Sequence, residues 1–158
     1  MKQTLLWLFC GALGAFALTP DATVAAPPSK TAAAPMDWPH WRGPEQNGIS
    51  REKNLPDSWS PSGENVIWAL PELATRSTPI IMNGMLYFLQ NDRPASPEEG
   101  EKVVCADAKT GKVIWTNRFN VFLSDVPDTR VGWSSVVGDP ETGNVYALGV
   151  CGQFQAMD

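Results

Sequence analysis

The side chains best suited to bind a ligand lie in one long polar connection, residues 120–132. Asp125, Asp128 and Arg130 stand close together there, and carboxylates and a guanidinium make strong charge-assisted hydrogen bonds. Connections of this length are uncommon in compact folds and are often functional. We therefore predict a ligand-binding loop. The alternative is a structural connection in which Arg130 pairs with a nearby carboxylate.

Catalytic and metal-binding groups are scarce in the rest of the chain. His40 is the only histidine, which excludes a site built from several histidines and makes a Ser-His-Asp hydrolase depend on this residue alone. The acidic segment 98–101 holds three glutamates but lacks the alternating oxygen ligands of a calcium loop. We predict that this segment is a solvated loop tip, and that the chain carries neither catalytic residues nor a metal site.

The elements that position these residues are predicted to be β-strands. Asn83-Gly84 between two apolar runs is the strongest hairpin signal in the chain. Beyond the N-terminal region, no stretch shows a sustained helical stripe, so we predict an all-β fold. The predicted strands cover residues 66–70, 79–82, 85–90, 102–106, 113–119, 135–137, 144–148 and 153–157.

The chain also repeats itself. Val66-Ile67-Trp68 recurs as Val113-Ile114-Trp115, and the segment 77–87 is echoed by 134–146. The segment 103–107 is likewise echoed by 154–158. A repeat of about 40 to 50 residues is typical of propeller blades, each of which needs neighbours to bury its faces.

One connection between predicted strands has a residue pattern with a clear structural purpose. Asp107 and Thr110 can hydrogen bond to nearby backbone amides, and Gly111 can adopt the positive φ that a turn requires. Trp115, four residues further on, offers a large surface with one N–H donor that can fill a joint between sheets.

This Asp-x-x-Thr-Gly-x-x-x-Trp spacing resembles the repeat of pyrroloquinoline-quinone (PQQ)-like β-propellers. Asp158 holds the position of the aspartate in the second unit, whereas Trp68 matches only through Val-Ile-Trp. The resemblance implies a partial β-propeller of antiparallel four-stranded blades, with about two blades present and the ring not closed. It also implies that Trp115 docks onto a neighbouring blade and that Trp68 belongs to a strand completing the last blade. The matching residues are Asp107, Thr110, Gly111 and Trp115.

The N-terminal region is typical of an exported protein. Lys2 precedes an apolar run and then small residues, which predicts a secretory signal peptide over residues 1–25, with a retained membrane anchor as the alternative. Residues 26–36 are rich in Ala and Pro and are predicted to be a flexible tether. The Trp- and Pro-rich segment 37–65 is predicted to be an ordered loop. Its opening resembles exported propeller proteins of planctomycete-type bacteria.

Together these patterns predict the N-terminal fragment of an exported repeat protein in the periplasm or outside the cell. We expect a binding or scaffold module without catalysis, whose partner is a protein or an envelope polymer. The net charge of −5 and the absence of a basic patch argue against nucleic acid. We also expect no membrane span after signal cleavage. The resemblance implies one alternative, a PQQ-dependent alcohol or sugar dehydrogenase whose full-length parent would hold PQQ and Ca²⁺. No residue here matches the cofactor-binding or base residues of those enzymes.

Overall fold

The computed structural model describes residue 34 and residues 36–61, 63–121 and 127–158. The predicted signal peptide, most of the predicted tether and Asp125 lie outside the described residues. In the described part, the only helical segments are two short 3-10 helices, Pro71–Leu73 and Asp128–Arg130. The predicted all-β class is therefore confirmed. No helix in these ranges is long and apolar enough to cross a membrane.

The first sheet is an antiparallel meander of four strands in the order β1-β2-β3-β4. Asn83 and Gly84 join its first two strands and have φ values of 54° and 75°. Positive φ at both central residues is what a type I′ hairpin turn requires, so the hairpin predicted there is confirmed. The strands are β1 Ile80–Met82, β2 Met85–Asp92, β3 Gly100–Asp107 and β4 Val113–Asn120.

The second sheet has three antiparallel strands in the order β5-β6-β7, and neither sheet is closed. Its strands are β5 Val137–Gly138, β6 Val145–Leu148 and β7 Phe154–Met157. In the first sheet Tyr87 pairs with Ile80 on one side and Cys105 on the other. In the second sheet Tyr146 likewise pairs with Val137 and Ala156. Both sheets thus align their first three strands about a tyrosine of the second strand.

The two sheets pack face to face around one apolar core. A Cβ on Gly138 in β5 would lie 3.1 Å from Met82 Sδ in β1, so these two strands are in contact. Asn117 Nδ2 in β4 donates to Gln155 Oε1 in β7 at 2.8 Å. The two sheets therefore stack with their strands in the same order, so that β1 lies against β5 and β4 against β7. The core consists of Ile80, Met82, Leu89, Val103, Phe119, Val136, Val145 and Ala147, with Tyr87, Trp115 and Met157 packed against it.

Residues 66–76 pack against the first sheet through side-chain contacts. Trp68 Nε1 donates to the Ala108 carbonyl at 3.1 Å, and a Cβ on Gly111 would lie 2.5 Å from Leu70 Cδ1 and 3.0 Å from the Trp68 ring. The prediction of a strand at 66–70 was wrong for this structure. No described strand runs alongside this segment to form ladder hydrogen bonds, and its indole is instead anchored on the turn between β3 and β4.

The segment 37–39 covers the free edge of β1 and reaches β5. Trp38 exchanges two backbone hydrogen bonds with Ile81, at 2.8 and 3.0 Å, and Gly138 N donates to the Pro39 carbonyl at 2.7 Å. Asp37 is buried, and its Oδ2 accepts a hydrogen bond from Asn83 N at 2.7 Å. This segment therefore ties the first strands of both sheets together.

Candidate binding site at the loop edge

The connections of the two sheets are divided unequally between their two edges. Short turns lie at one edge, which we call the turn edge: residues 83–84, 108–112 and 139–143. Three longer segments and one short turn lie at the opposite edge, which we call the loop edge: the segments are residues 71–79, 93–99 and, in the described part of the next connection, 121 and 127–136, and the turn is 149–153. In an antiparallel meander alternate connections share an edge, so the topology itself gathers these longer segments.

Buried Glu101 fixes one of the loop-edge segments and the turn 149–153. Its side chain is 1% exposed, and its two carboxyl oxygens accept hydrogen bonds from Gly132 N at 2.7 Å and Val150 N at 2.8 Å. The prediction of a solvated loop tip is therefore wrong at this residue. Glu101 belongs to β3 and pairs with Asn91, and its side chain faces the second sheet beneath the loops.

A charged cluster fixes the 93–99 connection. Asp92 Oδ2 lies 2.6 Å from Arg118 Nε, and Asp92 Oδ1 lies 3.2 Å from Lys102 Nζ. Partial burial opposes ionisation of Asp92, but the hydrogen bonds from Arg118 and Lys102 outweigh it and hold the pKa of this carboxyl below its ordinary value. Arg118 also donates to the Glu98 carbonyl, so it links the end of β2 to the connection that follows.

A pocket of about 430 Å³ lies between the loop-edge segments where β2 ends. Gln90 Nε2 donates to the carbonyls of Glu72 and Ala74 at 2.8 and 2.9 Å, which holds the 71–76 segment against β2. Asn91 Nδ2 donates to Glu99 Oε1 at 2.8 Å. The other atoms of these two amide groups, Gln90 Oε1 and Asn91 Oδ1, are buried without a hydrogen-bond partner. The residues around the pocket include Thr75, Arg76, Gln90, Asn91, Val131 and Gly132.

The structure brings one of the three predicted ligand residues near this pocket. Asp125 lies outside the described residues, and Asp128 begins the second 3-10 helix. Arg130 is exposed and is followed directly by pocket residues Val131 and Gly132. Its guanidinium lies over the Trp133 ring, 5.3 Å from the ring centroid, which is a cation–π contact. The contact is thus with an aromatic ring, where the alternative interpretation expected a carboxylate.

The turn edge holds the predicted Asp-x-x-Thr-Gly turn. Asp107 Oδ1 accepts hydrogen bonds from the Thr110 hydroxyl and amide, both at 2.8 Å, and from Lys109 N at 3.0 Å. These bonds, those from Thr110 foremost, hold the pKa of the Asp107 carboxyl below its ordinary value. Gly111 has φ 72° and carries the contact with Trp68. Asp158 follows β7, just as Asp107 ends β3.

Sequence reasoning missed a second copy of this turn. Asp139 Oδ2 accepts a hydrogen bond from the Thr142 hydroxyl at 2.6 Å and Oδ1 accepts one from Glu141 N at 3.0 Å, which hold the pKa of Asp139 below its ordinary value. Gly143 has φ 75°. The signal was present in the sequence, since Asp139, Thr142 and Gly143 have the same spacing as the first turn. The motif therefore forms the turn of two different hairpins, β3–β4 and β5–β6. It does not occur at only one place in the predicted repeat unit.

The described residues hold no cluster of acidic, histidine or cysteine side chains placed to bind a metal ion. No three His, Cys, Asp or Glu side chains converge within these ranges. Three acidic groups near the loop edge are engaged by other protein groups: Glu101 by backbone amides, Asp92 by Arg118 and Lys102, and Glu99 by Asn91. Cys105 and Cys151 are not joined by a disulfide.

Comparisons with known proteins add no relative to this picture. A scan against protein-family models, a search of curated proteins and a search of solved structures each found no match.

Proposed function

We propose that this chain is part of an exported PQQ-like β-propeller repeat protein and acts as a binding or scaffold module. Its loop edge contacts the partner, which is a protein or a polymer of the cell envelope. The observation that carries this proposal is the gathering of three long segments at one edge, where buried Glu101 holds one of them, at Gly132, and the turn 149–153, at Val150. Rigid sheets that present loops are a common basis for binding.

The arrangement of the two sheets supports the propeller architecture. Propeller blades are four-stranded meanders arranged around an axis, so successive blades stack with their strands in the same order. Here β1 contacts β5 and β4 contacts β7, and both sheets share one register about Tyr87 and Tyr146. The segments 77–87 and 134–146, which repeat in the sequence, thus contribute to corresponding strands, β1 and β2 in the first sheet and β5 and β6 in the second.

The contact of Trp68 with the turn after β3 is a second support. Its ring packs on Gly111, and its N–H donates to a carbonyl of the same turn. The repeated Val-Ile-Trp tripeptide places Trp115 in the equivalent position of the next unit, where the resemblance implies docking onto a neighbouring blade. Trp115 itself is half-buried, with its ring centroid 6.0 Å from that of Tyr87.

Co-sedimentation with isolated bacterial cell envelopes tests the binding function. We expect the full chain to sediment with the envelopes and the Arg130→Ala variant to be retained less, because Arg130 lies exposed at the loop edge. Lys109→Ala is the matched control, since it removes one exposed cation at the turn edge. Loss of retention in the control alone, or no retention of the unaltered chain, would contradict the proposal.

A further inference from the structure

We propose that copies of this chain associate head to tail, with residues 66–70 of one copy adding a strand to the free edge of β7 in another. This inference goes beyond the proposed binding function and does not depend on the identity of the envelope partner. Three features carry it: the open edge of β7, the apolar outer face of the second sheet, and a strand-like segment with no strand beside it.

The edge of β7 is open. This strand ends the second sheet, and no strand in the described part of the chain pairs with its outer side. Gly149 N donates to the Gln153 carbonyl at 2.8 Å, so in the β6–β7 register the backbone groups of alternate residues point toward β6. The backbone groups of Phe154 and Ala156 therefore point to the open edge. Unpaired N–H and C=O groups at an edge are a template for another strand.

The first sheet shows how such an edge is covered. Cys105 of β3 pairs with the central tyrosine of β2 on one side and with Trp115 of β4 on the other. In the second sheet Ala156 holds the position of Cys105, because it pairs with Tyr146. A strand equivalent to β4 would therefore place its tryptophan opposite Ala156.

Residues 66–70 have the sequence of this missing strand. Val66-Ile67-Trp68 repeats the first three residues of β4. The backbone groups of residues 67–69 make no backbone hydrogen bond within the described ranges. The side chains alternate as they do in a strand, since Trp68 and Leu70 are half-buried against the turn after β3 whereas Ile67 is 84% exposed.

This segment cannot reach the β7 edge of its own copy. Leu89 belongs to the core between the sheets, so the side chain of its neighbour Gln90 lies on the opposite face of the first sheet. There Gln90 holds the carbonyls of Glu72 and Ala74. The first sheet thus separates the segment from the second sheet, and the β7 edge that it joins belongs to another copy.

The outer face of the second sheet continues the contact between the sheets. All the residues that its strands turn away from the first sheet are apolar or aromatic, although a solvated face of an antiparallel sheet is normally polar. Val137 and Tyr146 hold the positions of Ile80 and Tyr87, which lie in the contact of the first sheet with the second. The outer face should therefore stack on the first sheet of the other copy, on the side of exposed Ile81. The outer residues are Val137, Tyr146, Leu148, Phe154 and Ala156.

Each copy offers both the β7 edge and the segment 66–70, so the contact joins two different surfaces. Contacts of this kind form closed rings, or open chains if the rotation does not close. About two to four copies would supply about four to eight stacked sheets, which is the usual number in a propeller.

Sedimentation velocity of the full chain over a range of concentrations tests the association. We expect oligomers whose size increases with concentration. Ile67→Lys places a charge in the added strand, and Ala156→Pro removes an N–H of the open edge, so each should weaken association at least about tenfold. Ile49→Lys is the matched control, because it places the same charge at an exposed isoleucine outside both surfaces. Circular dichroism reports whether each variant folds, and Ala69→Lys replaces Ile67→Lys if the latter does not.

An equimolar mixture of Ile67→Lys and Ala156→Pro tests the head-to-tail arrangement. The first variant keeps the β7 edge and the second keeps the segment, so together they should form one intact contact and sediment as a dimer. Equal association of Ile67→Lys and Ile49→Lys, or a mixture that stays monomeric, would overturn the inference. A chain that is monomeric at every concentration would also overturn it and indicate that residues outside the described part cover the edge. Envelope binding is measured separately, so each of these failures leaves the proposed function standing.

Discussion

Replacing Glu101 should loosen the loop edge and destabilise the whole fold. Glu101→Ala leaves Gly132 N and Val150 N without their acceptors, 2.7 and 2.8 Å away in the intact protein. An unsatisfied buried donor costs about 1–3 kcal/mol, so the two together should lower the free energy of unfolding by about 2–6 kcal/mol. Against a typical domain stability of about 5–15 kcal/mol, that loss is large.

Urea unfolding followed by tryptophan fluorescence measures this change, and amide hydrogen exchange locates it. Glu101→Gln keeps one acceptor oxygen but turns an amide group toward the other N–H, so we expect about half the loss seen in Glu101→Ala. Exchange at Gly132 and Val150 should accelerate before exchange in β2 and β3. Glu98→Gln is the control, because Glu98 is exposed, and it should stay within about 0.5 kcal/mol. If Glu101→Ala unfolds at the same urea concentration as Glu98→Gln, the anchoring role of Glu101 is refuted.

Two further predictions concern the turn edge and the acid range. Gly84→Ala and Gly111→Ala both place a Cβ at positive φ, which should cost about 1–2 kcal/mol of stability in each variant. Only the Cβ of Gly111→Ala also collides with the Trp68 segment. We therefore expect Gly111→Ala to be less stable than Gly84→Ala by about 1–3 kcal/mol. Equal melting temperatures for the two variants would contradict the Trp68 contact. The pKa of Asp92 in the folded protein is held below its ordinary value of 3.8. The ionised carboxylate therefore contributes fully to folding stability above pH 3.8, and this contribution is lost as the pH falls through the lower pKa of the folded state. In Asp92→Asn, the free energy of unfolding measured by urea titration should therefore fall less steeply as the pH is lowered below 3.8. If the free energy of unfolding falls with pH in parallel in the two proteins, the contact with Arg118 is contradicted.

Local signals in the sequence predicted much of the fold. Asn83-Gly84 predicted the β1–β2 turn because few residue pairs tolerate two positive φ values in succession. The apolar runs identified β2 and β3, whose central residues are buried, and also β4, although most of β4 is exposed or half-buried. The segment 66–70 has the same composition but forms no strand, since pairing depends on a neighbouring strand and not on the segment alone.

The candidate site depends on contacts that no local pattern reveals. Gln90 holds the 71–76 segment and Glu101 holds the loops at Gly132 and Val150, all across long sequence separations. The two unpartnered amide oxygens follow from this packing and leave no mark in the sequence. Glu101 itself could have been found, because it shares one strand face with core residue Val103.

The most direct test of the proposed binding edge is hydrogen exchange of the full chain with and without isolated cell envelopes, read peptide by peptide. We predict that envelope binding slows exchange in the loop-edge segments 71–79, 93–99 and 127–136, and leaves the turn-edge segments 108–112 and 139–143 unchanged. Slower exchange confined to the turn edge would contradict the proposed binding surface.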